Sequence, residues 1–200
     1  MARDYSPVLK KCRTLGISPS VLGYNKKPSI RHQQTQGRNK KMSEYGLQLR
    51  EKQKAKFVYG ILERQFRGIY ERAAKMNGST GENLLRLLEQ RLDNIVFRAK
   101  FARTRSEARQ IIRHGHITIN GKKVDIPSYT IRSGDIVELS SKAKNTDNIK
   151  TVLAATEGMF SPEWLKVDRS NYKIEIVSLP QRTDIDFDVD ERFIVELYSR

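Results

Sequence analysis

The stretch Phe101-Ala-Arg-Thr-Arg-Ser-Glu-Ala-Arg-Gln-Ile-Ile-Arg-His-Gly-His-Ile-Thr-Ile-Asn-Gly-Lys-Lys-Val124 reads as a short basic helix running into a tight β-hairpin. Thr104 and Glu107 stand three apart ahead of an apolar run, so hydroxyl and carboxylate can each satisfy a free amide at a helix start. At about 100° per residue, Arg105, Arg109 and Arg113 fall along one side, while Ala108, Ile111 and Ile112 cover the side next to it. This spacing predicts that one face packs and the other is left for something anionic. Gly115 suits the left-handed position that ends a helix, and Ile117 and Ile119 alternate with His116 and Thr118 as a half-buried strand does. Asn120-Gly121 fits the two-residue turn of a hairpin, because both residue types tolerate positive φ. Lys122 and Lys123 open the returning strand. Three arginines on a helix and two lysines at a hairpin together predict a nucleic-acid-binding surface.

Outward from this stretch the pattern is that of an α+β chain. Upstream, Ser43 is a suitable N-cap, and Val58, Ile61, Leu62, Phe66, Ile69, Tyr70 and Ala73 keep helical spacing to about Met76, with Gly60 and Gly68 as bends or close-packing points. Asn77-Gly78-Ser79-Thr80-Gly81 breaks the pattern, and Leu84, Leu85, Leu88, Leu92, Ile95 and Val96 begin another helix. Downstream, Ser133-Gly134-Asp135 turns into a strand at Ile136 to Leu139, and Lys142 to Asn148 reads as a polar connector. Thr151 to Ala155 is predicted helical, Trp164 to Val167 and Tyr172 to Val177 are predicted strands, and Trp164 is a core anchor. Glu191 to Ser199 fits helix and strand equally. Met1 to Met42, punctuated by Pro7, Pro19, Pro28, Gly16, Gly23 and Gly37, is expected to be an extended basic arm with at most a short helical turn around Val8 to Arg13. The expected organisation is thus an arm (1–42), a helical domain (43–80), an α+β domain (81–178, module core about 91–140) and an acidic linker (179–190), with an antiparallel sheet in the α+β part.

Thirty-eight Lys and Arg residues against 23 acidic ones leave a net charge of +15, an excess that points to a polyanionic partner. Its distribution is uneven: 14 basic and 3 acidic residues from Met1 to Gly60, 15 and 9 from Ile61 to Ser140, and 9 and 11 from Ser141 to Arg200. Binding charge therefore lies in the first two thirds. In the arm the cations are interleaved with Tyr5, Tyr24 and His32, which can stack on bases. There is no long apolar run, the most basic segment lacks the strongly amphipathic helix that would suit a membrane, and Met1 to Lys11 lacks the apolar core of a secretory signal, so the chain is expected to stay where it is made.

Other chemistry finds little support. The single cysteine, Cys12, cannot close an internal disulfide, and His32, His114 and His116 have no cysteine or carboxylate at metal-ligand spacing, so no metal and no cofactor are expected. Asp184, Asp186, Asp188 and Asp190 lack the glycine and distal glutamate of an EF-hand and read as an exposed acidic segment or protein contact. Neither a Gly-rich phosphate loop nor a nucleophile elbow is present, which argues against an enzyme with a small-molecule substrate. On the residues alone, an RNA-modifying enzyme with a targeting module and a DNA-binding regulator, suggested by the helix-turn-helix look of Leu84 to His114, stay open.

Several ordered motifs narrow the choice: Arg3-Asp4-Tyr5-Ser6-Pro7; Tyr45-Gly46-Leu47-Gln48-Leu49-Arg50-Glu51-Lys52-Gln53-Lys54; Leu62-Glu63-Arg64-Gln65-Phe66; Gly81-Glu82-Asn83-Leu84-Leu85; Arg91-Leu92-Asp93-Asn94; and Phe193-Ile194-Val195-Glu196-Leu197-Tyr198-Ser199. With the helix-hairpin, they make the chain resemble the S-four family of bacterial-type small-subunit ribosomal proteins along essentially its whole length. The resemblance implies a helical domain, onto which the segment from about Glu191 folds back, joined to an α+β domain carrying the RNA-binding module. It also implies early binding to a helical junction of small-subunit ribosomal RNA, ribosomal protein five of the same subunit as a neighbour alongside other small-subunit proteins, a place near the path by which messenger RNA enters, an influence on decoding accuracy, and in some members repression of their own messenger. Some members hold zinc with four N-terminal cysteines; with Cys12 alone, this chain resembles the zinc-free version. The expected setting is a bacterial cytoplasmic ribosome, or an organellar one. The expected RNA contacts are Arg3, Lys10, Lys11, Arg13, Lys26, Lys27, Arg31, His32, Arg38, Lys40 and Lys41 of the arm, Arg50, Lys52, Lys54, Arg64 and Arg67 of the helical part, and Arg103, Arg105, Arg109, Arg113, His114, His116, Lys122 and Lys123 of the module.

Overall fold

Local signals account for most elements of the computed structural model, which describes residues 7–24, 42–144 and 146–199. The chain divides into two compact units, Met1–Asn83 with Asp186–Arg200, and Leu84–Ile185. In the first unit, α1 (Val8–Leu15) and a 3₁₀ turn (Pro19–Leu22) bury Cys12, Leu15, Ile17 and Leu22. The short helical turn expected around Val8 to Arg13 is a helix that continues to Leu15, and this part of the arm packs instead of extending. Pro7 and Pro19, which look like breakers, stand before the first turn and at its first residue, where a missing amide costs nothing, and the four apolar side chains give the segment something to bury. Arg3, Tyr5, Lys26, Lys27, Arg31, His32, Arg38, Lys40 and Lys41 lie outside the described residues.

Ser43 caps α2 (Glu44–Tyr59), its Oγ accepting from the Gly46 amide at 3.2 Å, and Gly60 ends that helix at φ 60°. α3 (Glu63–Ala74) follows and runs unbroken through Gly68, where an added Cβ would meet nothing within 4 Å, so that glycine is not a close-packing point. α9 (Glu191–Ser199) resolves the C-terminal ambiguity as a helix packed along α2, with Ile194 buried and Gln48 Nε2 donating to Glu196 Oε2 at 3.1 Å. Before it, Phe187 and Val189 are buried while Asp186 and Asp188 are exposed; the Phe187 ring meets Tyr59 edge-on at 5.9 Å. Alternation here seats a segment on the helices.

Tyr198 stacks on Tyr70 at 4.6 Å and donates to Glu63 Oε1 at 2.7 Å, while Lys52 and Lys56 donate to the same carboxylate at 3.0 and 2.6 Å. Burial pushes the Glu63 carboxyl up, but the hydrogen bonds from Lys56, Tyr198 and Lys52 outweigh it and hold its pKa at about 2, against 4.5 ordinarily. Its contribution is then complete above pH ~4.5 and is lost as the pH falls to about 2, because the unfolded chain takes up the proton first. The urea midpoint of this unit, followed by far-UV ellipticity, is expected to exceed that of Glu63→Gln at pH 6 and to converge with it as the pH approaches 2; a gap independent of pH would refute the assignment.

The second unit contains the C-terminal part of α4 (Thr80–Glu89), then α5 (Leu92–Arg98), α6 (Arg105–Arg113), β1 (Ile117–Ile119), β2 (Lys122–Lys123), β3 (Ile136–Leu139), α7 (Ser141–Lys144), α8 (Asp147–Ala155), β4 (Leu165–Asp168) and β5 (Lys173–Ile176). All strand pairs are antiparallel, in the order β2-β1-β3-β5-β4, with Ile117 opposite Leu139, Val137 opposite Ile174 and Leu165 opposite Ile176. Inward residues of the sheet join Leu92, Ile95, Val96, Phe101, Ile112 and Trp164 in one core. The polar connector expected from Lys142 to Asn148 instead contains α7 and the start of α8, because Ala143 and Ile149 supply just enough apolar surface to dock there. The fold is α+β.

Candidate nucleic-acid interface

Thr104 Oγ1 accepts from the Glu107 amide at 3.2 Å and Glu107 returns a bond to the amide of Arg103 at 2.7 Å, so α6 starts where the Thr-x-x-Glu spacing places it. Glu107 also holds the Arg103 guanidinium at 2.7 Å; burial raises the Glu107 carboxyl, and the bonds from Arg103 and Thr104 bring it below its ordinary value. Arg103 stays exposed beside it.

The arginine face of α6 differs from its expected role. Arg105 is only 5% exposed, donates from Nε to Asn94 Oδ1 at 2.9 Å and lays its guanidinium 4.3 Å from the centre of the Phe97 ring. Arg109 Nε donates to Asp93 Oδ2 at 2.6 Å, and Asp93, 1% exposed, also takes a two-pronged grip from Arg91 at 3.0 and 2.9 Å. Behind them, Arg98 forks onto Glu89 at 3.1 and 2.7 Å, and Asn94 Nδ2 donates to the Glu89 carboxylate at 2.6 Å and to its carbonyl at 3.0 Å. Arg105 and Arg109 thus fasten α6 to α5, and Asn94 and Arg98 tie α5 to Glu89 at the end of α4. A helical wheel ranks positions around an axis but does not show that a neighbouring helix supplies carboxylates to the charged side. Of the three arginines, Arg113 alone is exposed.

Past Arg113 the chain turns through Gly115 at φ 71°, where an added Cβ would strike the Lys123 side chain, so glycine lets that lysine lie across the junction of α6 and β1. His114 is exposed and its ring centre lies 5.9 Å from that of the half-buried His116. Burial lowers the His116 pKa, and the charges of His114 and Lys123 lower it further, which leaves the imidazole neutral at pH 7 with one donor and one acceptor nitrogen. Asn120 and Gly121 make the hairpin turn at φ 49° and 78°, and the Asn120 amide donates to Asp135 Oδ1 and accepts from the Ile136 amide, both at 2.9 Å. That clamp fixes the hairpin carrying Lys122 and Lys123, both exposed. Arg113, Lys122 and Lys123 have no ion-pair partner among the described residues.

Comparison with known proteins assigns this arrangement. Residues 90–137 match the family model of the S4 domain, and residues 3–89 match that of the ribosomal protein S4/S9 N-terminal domain. Small ribosomal subunit protein uS4 of Agathobacter rectalis is 52% identical over 200 residues, that of Fusobacterium nucleatum 50% over 200 residues, and that of Chlorobium phaeovibrioides 45% over 203 residues, each alignment covering the whole of both chains. The chain belongs to the uS4 family of small-subunit ribosomal proteins. As a uS4 protein it is a structural constituent of the ribosome and not an enzyme. Its S4-domain match begins at Gln90, beside the Glu89 carboxylate that anchors Arg98 and Asn94, and takes in α5, α6 and the hairpin.

In the N-terminal uS4 unit the expected contacts separate in the same way. Lys10, Arg13, Arg64 and Arg67 are exposed, the last beside Glu71 at 3.2 Å. Lys11 rests 5.3 Å from the Phe57 ring centre, and Arg50 is half-buried against Gly16. Lys52 is taken up by Glu63 and the Tyr198 ring, and Lys54, 8% exposed, by Glu51 at 2.8 Å. Lys52 and Lys54 are thus engaged within the unit, because α2 and α3 place carboxylates beside them. Sequence reasoning missed Glu89 and Asp93 as the organisers of the S4 domain, although charged residues inside the leucine-rich run from Leu84 to Val96 were the available signal. Among the described residues no group of three or more His, Cys, Asp or Glu side chains could hold a metal ion, and no helix is long and apolar enough to cross a membrane.

Proposed function

We propose that this uS4-family chain binds small-subunit ribosomal RNA, its S4 domain docking on backbone phosphates through Arg113, His114, His116, Lys122 and Lys123, with Arg103 at the rim. The observation that carries this is the set of exposed cations at the end of α6 and on the hairpin, Arg113, Lys122 and Lys123, which have no ion-pair partner among the described residues and are placed by the buried network and the Asn120 clamp. A-form RNA hides its bases in a narrow major groove, so shape and phosphate position outweigh base reading. Lys10 and Arg13 on α1, together with the cationic arm residues, supply a second grip in the N-terminal unit.

The finer reading follows from the resemblance: attachment early in assembly to a helical junction of the RNA, contact with ribosomal protein five, proximity to the path of incoming messenger with an effect on accuracy, and repression of its own messenger. Bacterial relatives support a cytoplasmic bacterial ribosome. Amine-reactive labelling of the full chain, free and bound to purified small-subunit rRNA, tests the docking: Lys122 and Lys123 are expected to become protected and Lys54 to be poorly reactive in both states. Equal labelling of Lys122 and Lys123 in the two states would overturn it.

A further inference from the structure

The chain carries two Asn-Gly pairs, Asn77-Gly78 and Asn120-Gly121, whose asparagine side chains are held in opposite ways. Such a pair is chemically restless, because glycine has no Cβ to shield its amide nitrogen from the asparagine's side-chain carbonyl carbon. The grip on that side chain decides whether the two meet. At the hairpin, Asn120 Nδ2 donates to Asp135 Oδ1 and Asn120 Oδ1 accepts from the Ile136 amide, both at 2.9 Å. Both ends of that carboxamide are occupied, so two hydrogen bonds must break before it can turn to Gly121.

Asn77 lies between α3 and α4, exposed together with Gly78 and Ser79. Its carboxamide has no hydrogen-bond partner among the described residues. A Cβ added to Gly78 would meet nothing within 4 Å, so water reaches the pair. The main-chain carbonyl of Asn77, by contrast, is held: Asn83, 3% exposed, donates from Nδ2 to Asn77 O at 3.1 Å. That oxygen belongs to the same peptide group as the Gly78 N–H. When the N–H gives up its proton, negative charge spreads onto Asn77 O, where a buried donor is already aimed.

We propose that Asn77-Gly78 is a self-modifying site, at which Asn77 is converted to aspartate and isoaspartate through a cyclic imide. Hydroxide removes the Gly78 amide proton, the nitrogen bonds to Asn77 Cγ, and the Cγ–Nδ2 bond breaks, with Nδ2 taking a proton from water and leaving as ammonia. A succinimide ring remains, and water opens it. Addition at Cγ restores the main chain with an aspartate side chain. Addition at the Asn77 carbonyl carbon breaks the original peptide bond instead, so the chain runs through Cβ and Cγ and the old main-chain carboxyl becomes the side group. Water is the only co-reactant, and nothing is oxidised or reduced. Either product places a new negative charge two residues after Lys75 and three before Thr80, the first residue of α4. The isoaspartate also lengthens the connector by one methylene and offers a free carboxylate of the kind that a carboxyl methyltransferase using S-adenosylmethionine can esterify.

The test follows the full chain at neutral to mildly alkaline pH, folded and in guanidinium chloride, with tryptic digestion at intervals. Residues 76–86 and 114–122 fall in separate peptides, and mass spectrometry reads the exchange of amide for carboxylate in each, with fragment ions placing it at Asn77 and not at Asn83. In denaturant the two Asn-Gly pairs are expected to convert at similar rates. In the folded chain Asn120 is expected to slow by about tenfold or more, the cost of breaking two hydrogen bonds, while Asn77 converts at least as fast as in denaturant. The Asn77 product is expected to accept labelled methyl groups from an isoaspartyl methyltransferase. Slower conversion of Asn77 in the folded chain than in denaturant, or no methyl-accepting product at that position, overturns the proposal.

Discussion

Glu89→Ala is expected to lower the unfolding free energy of residues 84–185 by roughly 3–5 kcal/mol, the usual cost of removing one side of a buried ion pair. Glu89 is 1% exposed and accepts from both Arg98 and Asn94, and Asn94 in turn holds Arg105. Taking the carboxylate away disturbs three buried polar side chains, Asn94, Arg98 and Arg105, which water cannot readily re-solvate. Such a network is not in itself a net gain over a well-packed apolar one; the loss comes from leaving it incomplete. The chain's single tryptophan, Trp164, is buried in the core of this unit, so its fluorescence in urea reports that unit's transition. A midpoint close to wild type would mean that the network is not what fastens α4, α5 and α6 together. Arg105→Ala is expected to act in the same direction but less strongly, since Asn94 keeps its bonds to Glu89.

This distinction between arginines that fasten and arginines that bind was only partly legible in the sequence. Helix starts were plain where a side chain has one local partner, as at Ser43 and Thr104, and the hairpin was plain because Asn120-Gly121 meets a backbone requirement that few other pairs meet. Arg105, Arg109 and Arg113 look alike at four-residue spacing. Their fates diverge because Asn94 and Asp93, eleven and sixteen residues earlier, come to lie against the first two and not the third. The partners of Lys52 were hidden for a similar reason: Glu63 stands on the next helix, and Tyr198, whose ring it faces, is more than 130 residues away in sequence. In α1 and α7 a few apolar side chains outweighed the polar or breaker-rich composition around them. Charge content is local information; which charges are consumed inside the fold is not.

That division gives the second large effect. Replacing Arg113, Lys122 and Lys123 together by alanine removes exposed cations without ion-pair partners among the described residues, so the Trp164 transition is expected to stay where it is. RNA binding should respond strongly, because each neutralised phosphate contributes about 0.7 to 0.9 to the slope of log affinity against log salt, and three contacts contribute roughly 2 to 2.7. Since this contribution vanishes near 1 M salt, its loss at about 0.15 M corresponds to an affinity about a hundredfold weaker. The decisive measurement is the salt dependence of binding to small-subunit rRNA for the wild type and this triple variant, each shown to be folded by Trp164 fluorescence. A slope flattened by roughly 2 to 2.7 in the folded variant is the expected result, and a slope equal to that of the wild type would contradict the assignment of the RNA grip to the end of α6 and its hairpin.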